Sequence, residues 1–144
     1  MGLIFWPRPR KIIDYELDGP LTSQQPLDIY SLSHYSHGVI FFLLLGLFIK
    51  SKTHIIVLGL ILEVFWEWIE NTSFIIDKYR SNSRYKTYHG DSLINIFGDI
   101  LFALIGLVST AYYPVASIYI ALMLELLLIP FDASLLSLSL GSLL

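Results

Sequence analysis

The chain contains no cysteine, which excludes disulfide bridges and thiolate metal sites and leaves the redox compartment unmarked. Charge is scarce: only 15% of the 144 residues are Asp, Glu, Lys or Arg, against about 25% in an ordinary soluble domain. The net charge of −3 offers nucleic acid no bulk attraction. No glycine-rich phosphate loop and no internal repeat occurs. The first apolar stretch, Met1 to Trp6, is too short for the core of a cleavable signal peptide and stops at Pro7. Membrane targeting is therefore expected from internal segments.

What is abundant is apolar. Hydrophobic residues make up 55% of the chain and the mean hydropathy is +0.65. The length fits one domain. The pattern predicts an all-α, polytopic membrane protein: a bundle of about four transmembrane helices over 30–130, after a short interfacial segment, 1–29. In that segment Phe5 and Trp6 stand beside Arg8, Arg10 and Lys11, a pattern suited to lipid headgroups. Residues 12–17 partly alternate, as a short strand does, before turns at Gly19-Pro20 and Pro26. The helices are expected at about 32–49, 54–76, 92–112 and 114–129. Ser31 or Ser33 caps the first, Thr53 the second and Asp91 the third, and Pro114 suits the first turn of the fourth. An apolar, Leu/Ser-rich tail, 131–144, follows Pro130 and suits the interface or a packing surface.

Seven basic residues (Arg8, Arg10, Lys11, Lys78, Arg80, Arg84 and Lys86) fall on one side of this topology and two, Lys50 and Lys52, on the other. The positive-inside rule then puts both termini in the cytoplasm. The same topology brings the intramembrane polar residues to the inner end of the bundle. His34 and His37 begin the first helix. Glu63, Glu67, Glu70 and Asn71 end the second, and Asp91, Asn95 and Asp99 begin the third. Spacings of three and four put each set on one helix face. An acidic residue at membrane depth costs about 2.5–3.5 kcal/mol on insertion scales. These groups therefore need partners: a proton, a histidine cation, a metal, or an arginine reaching in from Arg80 or Arg84.

Several of these residues also carry a resemblance. Ser23-Gln24-Gln25, Asp28 to Tyr30, Ser33-His34-Tyr35-Ser36-His37-Gly38, Trp66-Glu67, Glu70-Asn71, Ile75-Ile76 with Tyr79-Arg80, and Tyr88 with Gly90-Asp91-Ser92, Asn95 and Asp99 together resemble small bacterial inner-membrane proteins of domain-of-unknown-function family 2585. The resemblance covers about residues 23–106. It implies a multi-pass fold in the bacterial inner membrane and brings no reaction with it. It also implies a further hydrophobic segment ahead of Ser23, and residues 1–22 hold none.

Three classes of function fit. The first is an enzyme acting on a lipid-like substrate at the inner face. Its metal, zinc, manganese or iron, would be drawn from His34, His37, Glu67, Glu70, Asp91 and Asp99, since imidazole and carboxylate suit those ions. Glu67, Asp99 and His37 are its candidate catalytic acid–base groups, and Arg80 and Arg84 its candidate lipid-phosphate ligands. The second is a non-catalytic membrane component: an accessory subunit, an assembly factor or a structural protein of a membrane-containing particle. There the polar groups only lock helix packing, and partners are lipids, other membrane proteins or further copies of the chain. The third is proton transfer through Glu63 and Asp99. Plainer roles are expected for several residues. For Asp91 alone, capping is preferred to metal ligation. Trp66, Trp68, Tyr79, Tyr85 and Tyr88 read as an interfacial belt, His54 as a boundary residue and His89 as an exposed one.

Overall fold

The computed structural model describes residues 12–14, 19, 21–81 and 85–135. Among them the architecture is helical: α1 (Ser31–Gly46), α2 (Lys52–Glu70), α3 (Ser73–Ser81), α4 (Leu93–Tyr112) and α5 (Pro114–Leu128), then a 3-10 turn, Ile129–Phe131. The second helix does not run on to residue 76. Asn71 stops it by donating its side-chain amide to the Glu67 carbonyl at 3.0 Å. The Thr72 hydroxyl bonds the Ile69 carbonyl at 2.6 Å, and the chain restarts as α3. These side chains satisfy carbonyls that a helix end leaves open.

The caps differ from those expected. Asp28 Oδ1 accepts from the backbone N–H groups of Tyr30 and Ser31, at 2.8 and 3.0 Å, and so starts α1. Ser51 rather than Thr53 caps α2, accepting from His54 N–H at 3.4 Å. Ser92 rather than Asp91 caps α4, accepting from Asn95 N–H at 3.3 Å. The reason at α4 is local: Ser92 has the extended backbone that aims its hydroxyl at the helix, while the Asp91 carboxylate is engaged by Asn71 and Tyr88.

α1 and α4 run parallel at the centre, and α2 and α5 each pack against both. The central pair is close because glycines face it. A Cβ on Gly38 would collide with the Ala103 carbonyl oxygen, and one on Gly106 with the Tyr35 carbonyl oxygen. Small residues of this kind let helix backbones touch. Burial is inverted relative to a soluble domain. Apart from Leu107 and Leu128, the largest fully buried side chains are polar, among them Gln25, Glu63, Asn95 and Thr110. Leu44, Phe48, Ile61, Phe65, Leu101 and Leu126 are exposed.

Two helices, Leu93–Tyr112 and Pro114–Phe131, are long and apolar enough to cross a membrane. α1 is short at 16 residues, and α2 carries Glu63, Glu67 and Glu70. Among the described residues, two of the four expected spans therefore meet the requirement of length and composition.

Of the expected interfacial segment, residues 1–11, 15–18 and 20 lie outside the described residues, and with them half of the expected strand over 12–17. The only β pairing among the described residues is one parallel bridge between Ile13 and Leu27. Ser23, Gln24, Gln25 and Asp28 do not lie on a surface. They are buried and plug the polar end of the bundle. The Ser23 carbonyl accepts from Ser92 N–H at 2.9 Å, and the Gln24 amide donates to the Gly90 carbonyl at 2.8 Å. Ala133 and Ser134, after the 3-10 turn, are buried as well, and Leu135 N–H donates to Glu125 at 2.7 Å. Residues 136–144 lie outside the described residues.

Candidate functional site

The polar stripes converge where α1 and α4 begin and α2 and α5 end. His34 sits one turn into α1, held by the Asp28 cap below it. Its Nδ1 stands 2.5 Å from Glu63 Oε1 and 3.3 Å from Glu67 Oε1. His37, one turn further, stands 3.1 Å from Glu63 Oε2. One glutamate thus ties both histidines, whose rings meet edge-on at 4.9 Å. These are the ion pairs among the described residues, and no Lys or Arg joins them.

Two ligand groups result: His34 with His37 and Glu63, and His34 with Glu67 and Glu70, each with its ligand atoms within 4.8 Å of one another. Glu67 is 2% exposed, yet neither of its carboxylate oxygens has a hydrogen-bond partner. Asp99 Oδ1 and Asn95 Oδ1 are also buried without one. Buried carboxylate oxygens left open are costly unless a proton, a cation or a substrate meets them. The site chemistry, imidazole plus carboxylate, is that of zinc, manganese or iron.

Beside this cluster lies a cavity of about 300 Å³ lined by His34, His37, Glu70, Asp91 and Asp99, with Trp66 and four tyrosines. The break at Asn71 builds its wall. Asn71 Oδ1 accepts from Asp91 N–H at 2.7 Å and Asn71 Nδ2 donates to Asp91 Oδ2 at 2.8 Å. α2 and the start of α4 are thereby pinned together. Tyr79 on α3 donates to Glu70 Oε1 and Tyr88 donates to Asp91, each at 3.1 Å. Burial first, and then the carboxylate charges nearby, hold both tyrosine hydroxyls above their ordinary range, so they remain donors. Burial also raises the Asp91 carboxyl, against hydrogen bonds from Asn71, Ser23 and Tyr88 that lower it.

The expected site residues are therefore placed as follows. His34, His37, Glu67 and Glu70 come together as potential ligands, while Asp91 and Asp99 line the cavity and belong to neither ligand group. Arg80 is exposed and does not line the cavity, and Arg84 lies outside the described residues. His54 and His89 are exposed, as expected. Tyr79, Tyr85 and Tyr88 are cavity walls, not a belt. Trp66 and Trp68 are both exposed, and Trp66 also packs edge-on against His37 at 5.5 Å.

Two residues take places other than those expected: Glu63, read as a proton relay, meets both histidines, and Asp28, read only within the resemblance, caps α1. Glu63 stands in the same stripe as Glu67, so its spacing was the signal for a place among the ligands. Asp28 stands two residues ahead of the first helical backbone amides, a spacing at which Asp caps.

A family profile described as "Protein of unknown function (DUF2585)" matches residues 10–140. The chain is 37% identical over 115 residues to a UPF0314 protein of Brucella anthropi, covering 73% of this chain and 55% of that one. It is 32% identical over 119 residues to a UPF0314 protein of Agrobacterium fabrum, covering 81% and 60%. It is 35% identical over 109 residues to one of Paracoccus denitrificans, covering 74% and 56%. The chain thus spans little more than half the length of these curated relatives. No solved structure matches it.

Proposed function

The chain belongs to the DUF2585 family of proteins of unknown function, and from that premise, which names no reaction, we propose a multi-pass membrane protein that binds a divalent metal at one end of its helix bundle and uses it on a lipid-like substrate. The observation that carries this reading is Glu67: a buried carboxylate with no hydrogen bond at either oxygen, its Oε1 3.3 Å from a histidine that already holds a second glutamate. His34, His37 and Glu63 are the proposed ligands, joined by Glu67 or Glu70. These residues would hold the ion, which when bound would supply Lewis-acid polarisation. The Glu67 carboxylate accepts a proton at an open oxygen, and Asp99, facing the cavity, meets the substrate.

The inverted burial supports four spans rather than two. The glutamates that make α2 polar are turned inward, with Glu63 at 0% and Glu67 at 2% exposure, while Val57, Ile61, Val64 and Phe65 face outward. The apolar run goes on past the end of α1 at Gly46 into the exposed Leu47 and Phe48. Lys78 and Lys86 lie in sequence beside the polar end and Lys50 and Lys52 beside the other, which supports a cytoplasmic site.

The test is elemental analysis of detergent-purified protein, as isolated and after exposure to zinc, manganese or ferrous iron. About one ion per chain is expected, lost in Glu67→Gln and His34→Ala proteins that retain their helical signal. A wild-type protein that stays metal-free under all these conditions overturns the reading. The exposed outer face of α5, with Tyr119, Leu122, Met123 and Leu126, favours the accessory-component reading. Fixed-ratio co-purification with a larger complex, with Glu67→Gln fully functional, would establish that alternative.

A further inference from the structure

The cavity beside the His/Glu cluster has a composition that selects its occupant. Its acidic lining residues are Glu70, Asp91 and Asp99, and no lysine or arginine lines it among the described residues. Its only basic groups among the described lining residues, His34 and His37, are already held by Glu63, so an entering anion would meet three carboxylates and no free cation. The opposite wall is aromatic. Tyr30 contacts Tyr85 at 6.3 Å between centroids, Tyr85 contacts Tyr79 at 5.9 Å, and Tyr79 contacts Tyr88 at 5.6 Å. Successive rings are turned by 58–78°, so they meet at an angle and not in a parallel stack, and all four line the cavity. The hydroxyls of Tyr79 and Tyr88 point to Glu70 and Asp91, which leaves the rings themselves as the wall. Asp99 adds an independent sign. It is 3% exposed, it lines the cavity, and its Oδ1 has no partner.

Tyrosine faces together with a desolvated carboxylate attract an organic cation: the ring quadrupole draws it and the carboxylate neutralises it. We propose that this cavity binds an alkylammonium group, carried by a lipid headgroup or by a free amine, between the Tyr30–Tyr85–Tyr79–Tyr88 wall and the carboxylates of Asp91 and Asp99. As a statement about substrate, this rests on the metal-site reading above; as a statement about binding, it is tested apart from it.

The full chain in maltoside micelles is titrated calorimetrically with tetramethylammonium chloride, methylammonium chloride, the neutral isostere neopentyl alcohol and sodium phosphate. Saturable binding of at least one free cation, with neither neopentyl alcohol nor phosphate bound, supports the proposal. A parallel arm dopes the micelles with phosphatidylcholine or with phosphatidylglycerol of the same chains. Binding of phosphatidylcholine without either free cation supports a lipid-borne group. Tyr85→Leu and Asp99→Asn are each expected to weaken binding about tenfold, with Tyr85→Phe close to wild type. Glu67→Gln, altered in the metal cluster only, is expected to keep cation binding while losing metal. Equal binding of neopentyl alcohol, binding of phosphate or phosphatidylglycerol alone, or no binding of any cation overturns the proposal. Cation binding by a wild-type protein that takes up no metal overturns the metal reading and leaves this one standing.

Discussion

His34 and Glu63 meet across the α1–α2 contact with 2.5 Å between Nδ1 and Oε1, at 6% and 0% exposure. Removing one member of a buried pair strands the other, at a cost of about 3–5 kcal/mol. Glu63→Ala is expected to destabilise by that order, and the double replacement His34→Leu with Glu63→Leu to recover most of it. Thermal unfolding of all three proteins in one detergent checks this. A double variant no better than Glu63→Ala would mean that the pairing does not set the loss.

Metal uptake at this pair is expected to release about one proton, because an ion between His34 and Glu63 takes the place of the one they share. Apparent affinity then falls by up to about tenfold per unit as the pH drops below neutral. Calorimetry in two buffers of different ionisation enthalpy measures the released proton directly. Identical heats would refute the exchange.

Asp28 gives a second pH dependence with a definite sign. Burial, and then the charge of Asp91, raise its carboxyl above the ordinary 3.8. The folded chain therefore binds this proton more tightly than the unfolded one. The stability it contributes is full below the unfolded value and is lost as pH rises through the folded one. Asp91 is shifted in the same direction. The metal-free protein should melt at higher temperature when acidified from neutral toward pH ~5. In Asp28→Asn, which keeps the oxygen that caps α1, the slope should flatten. Melting temperature against pH reads both.

Two glycines of the same helix separate close packing from propensity. Gly38→Ala is expected to cost about 1–3 kcal/mol, since the added methyl meets the α4 backbone. At Gly46 the nearest atom is Ile55 Cδ1 at 3.9 Å, so Gly46→Ala should change stability by less than about 0.5 kcal/mol. Chemical or thermal denaturation of the two variants gives the comparison.

Much of this was legible in the sequence. α4 and α5 fall within a residue of their expected bounds, because unbroken apolar runs are flanked by Ser92 and by Pro114. The stripes of His34 and His37, Glu63 to Glu70, and Asp91 to Asp99 follow from spacing alone, and their convergence from counting helices. The short motifs that suggested the family led to the right one. What stayed hidden depends on contacts distant in the chain. Residues 21–28 read as a turn-rich loop because their burial requires Ser92 and Gly90, more than 60 residues away. Tyr79 and Tyr88 read as a belt because nothing local shows that Asn71 breaks the helix and folds them over Glu70 and Asp91. Glu63 serves both histidines only through the α1–α2 register.

The contact of Gly38 and Gly106 with main chain has a consequence for how such proteins diverge. The separation of His34 on α1 from Asp99 on α4 is fixed by peptide groups touching peptide groups, not by any side chain that mutation can resize. The outward residues of α1, α2, α4 and α5 take no part in that contact. Substitutions there are expected to leave the spacing at the polar end of the bundle unaltered.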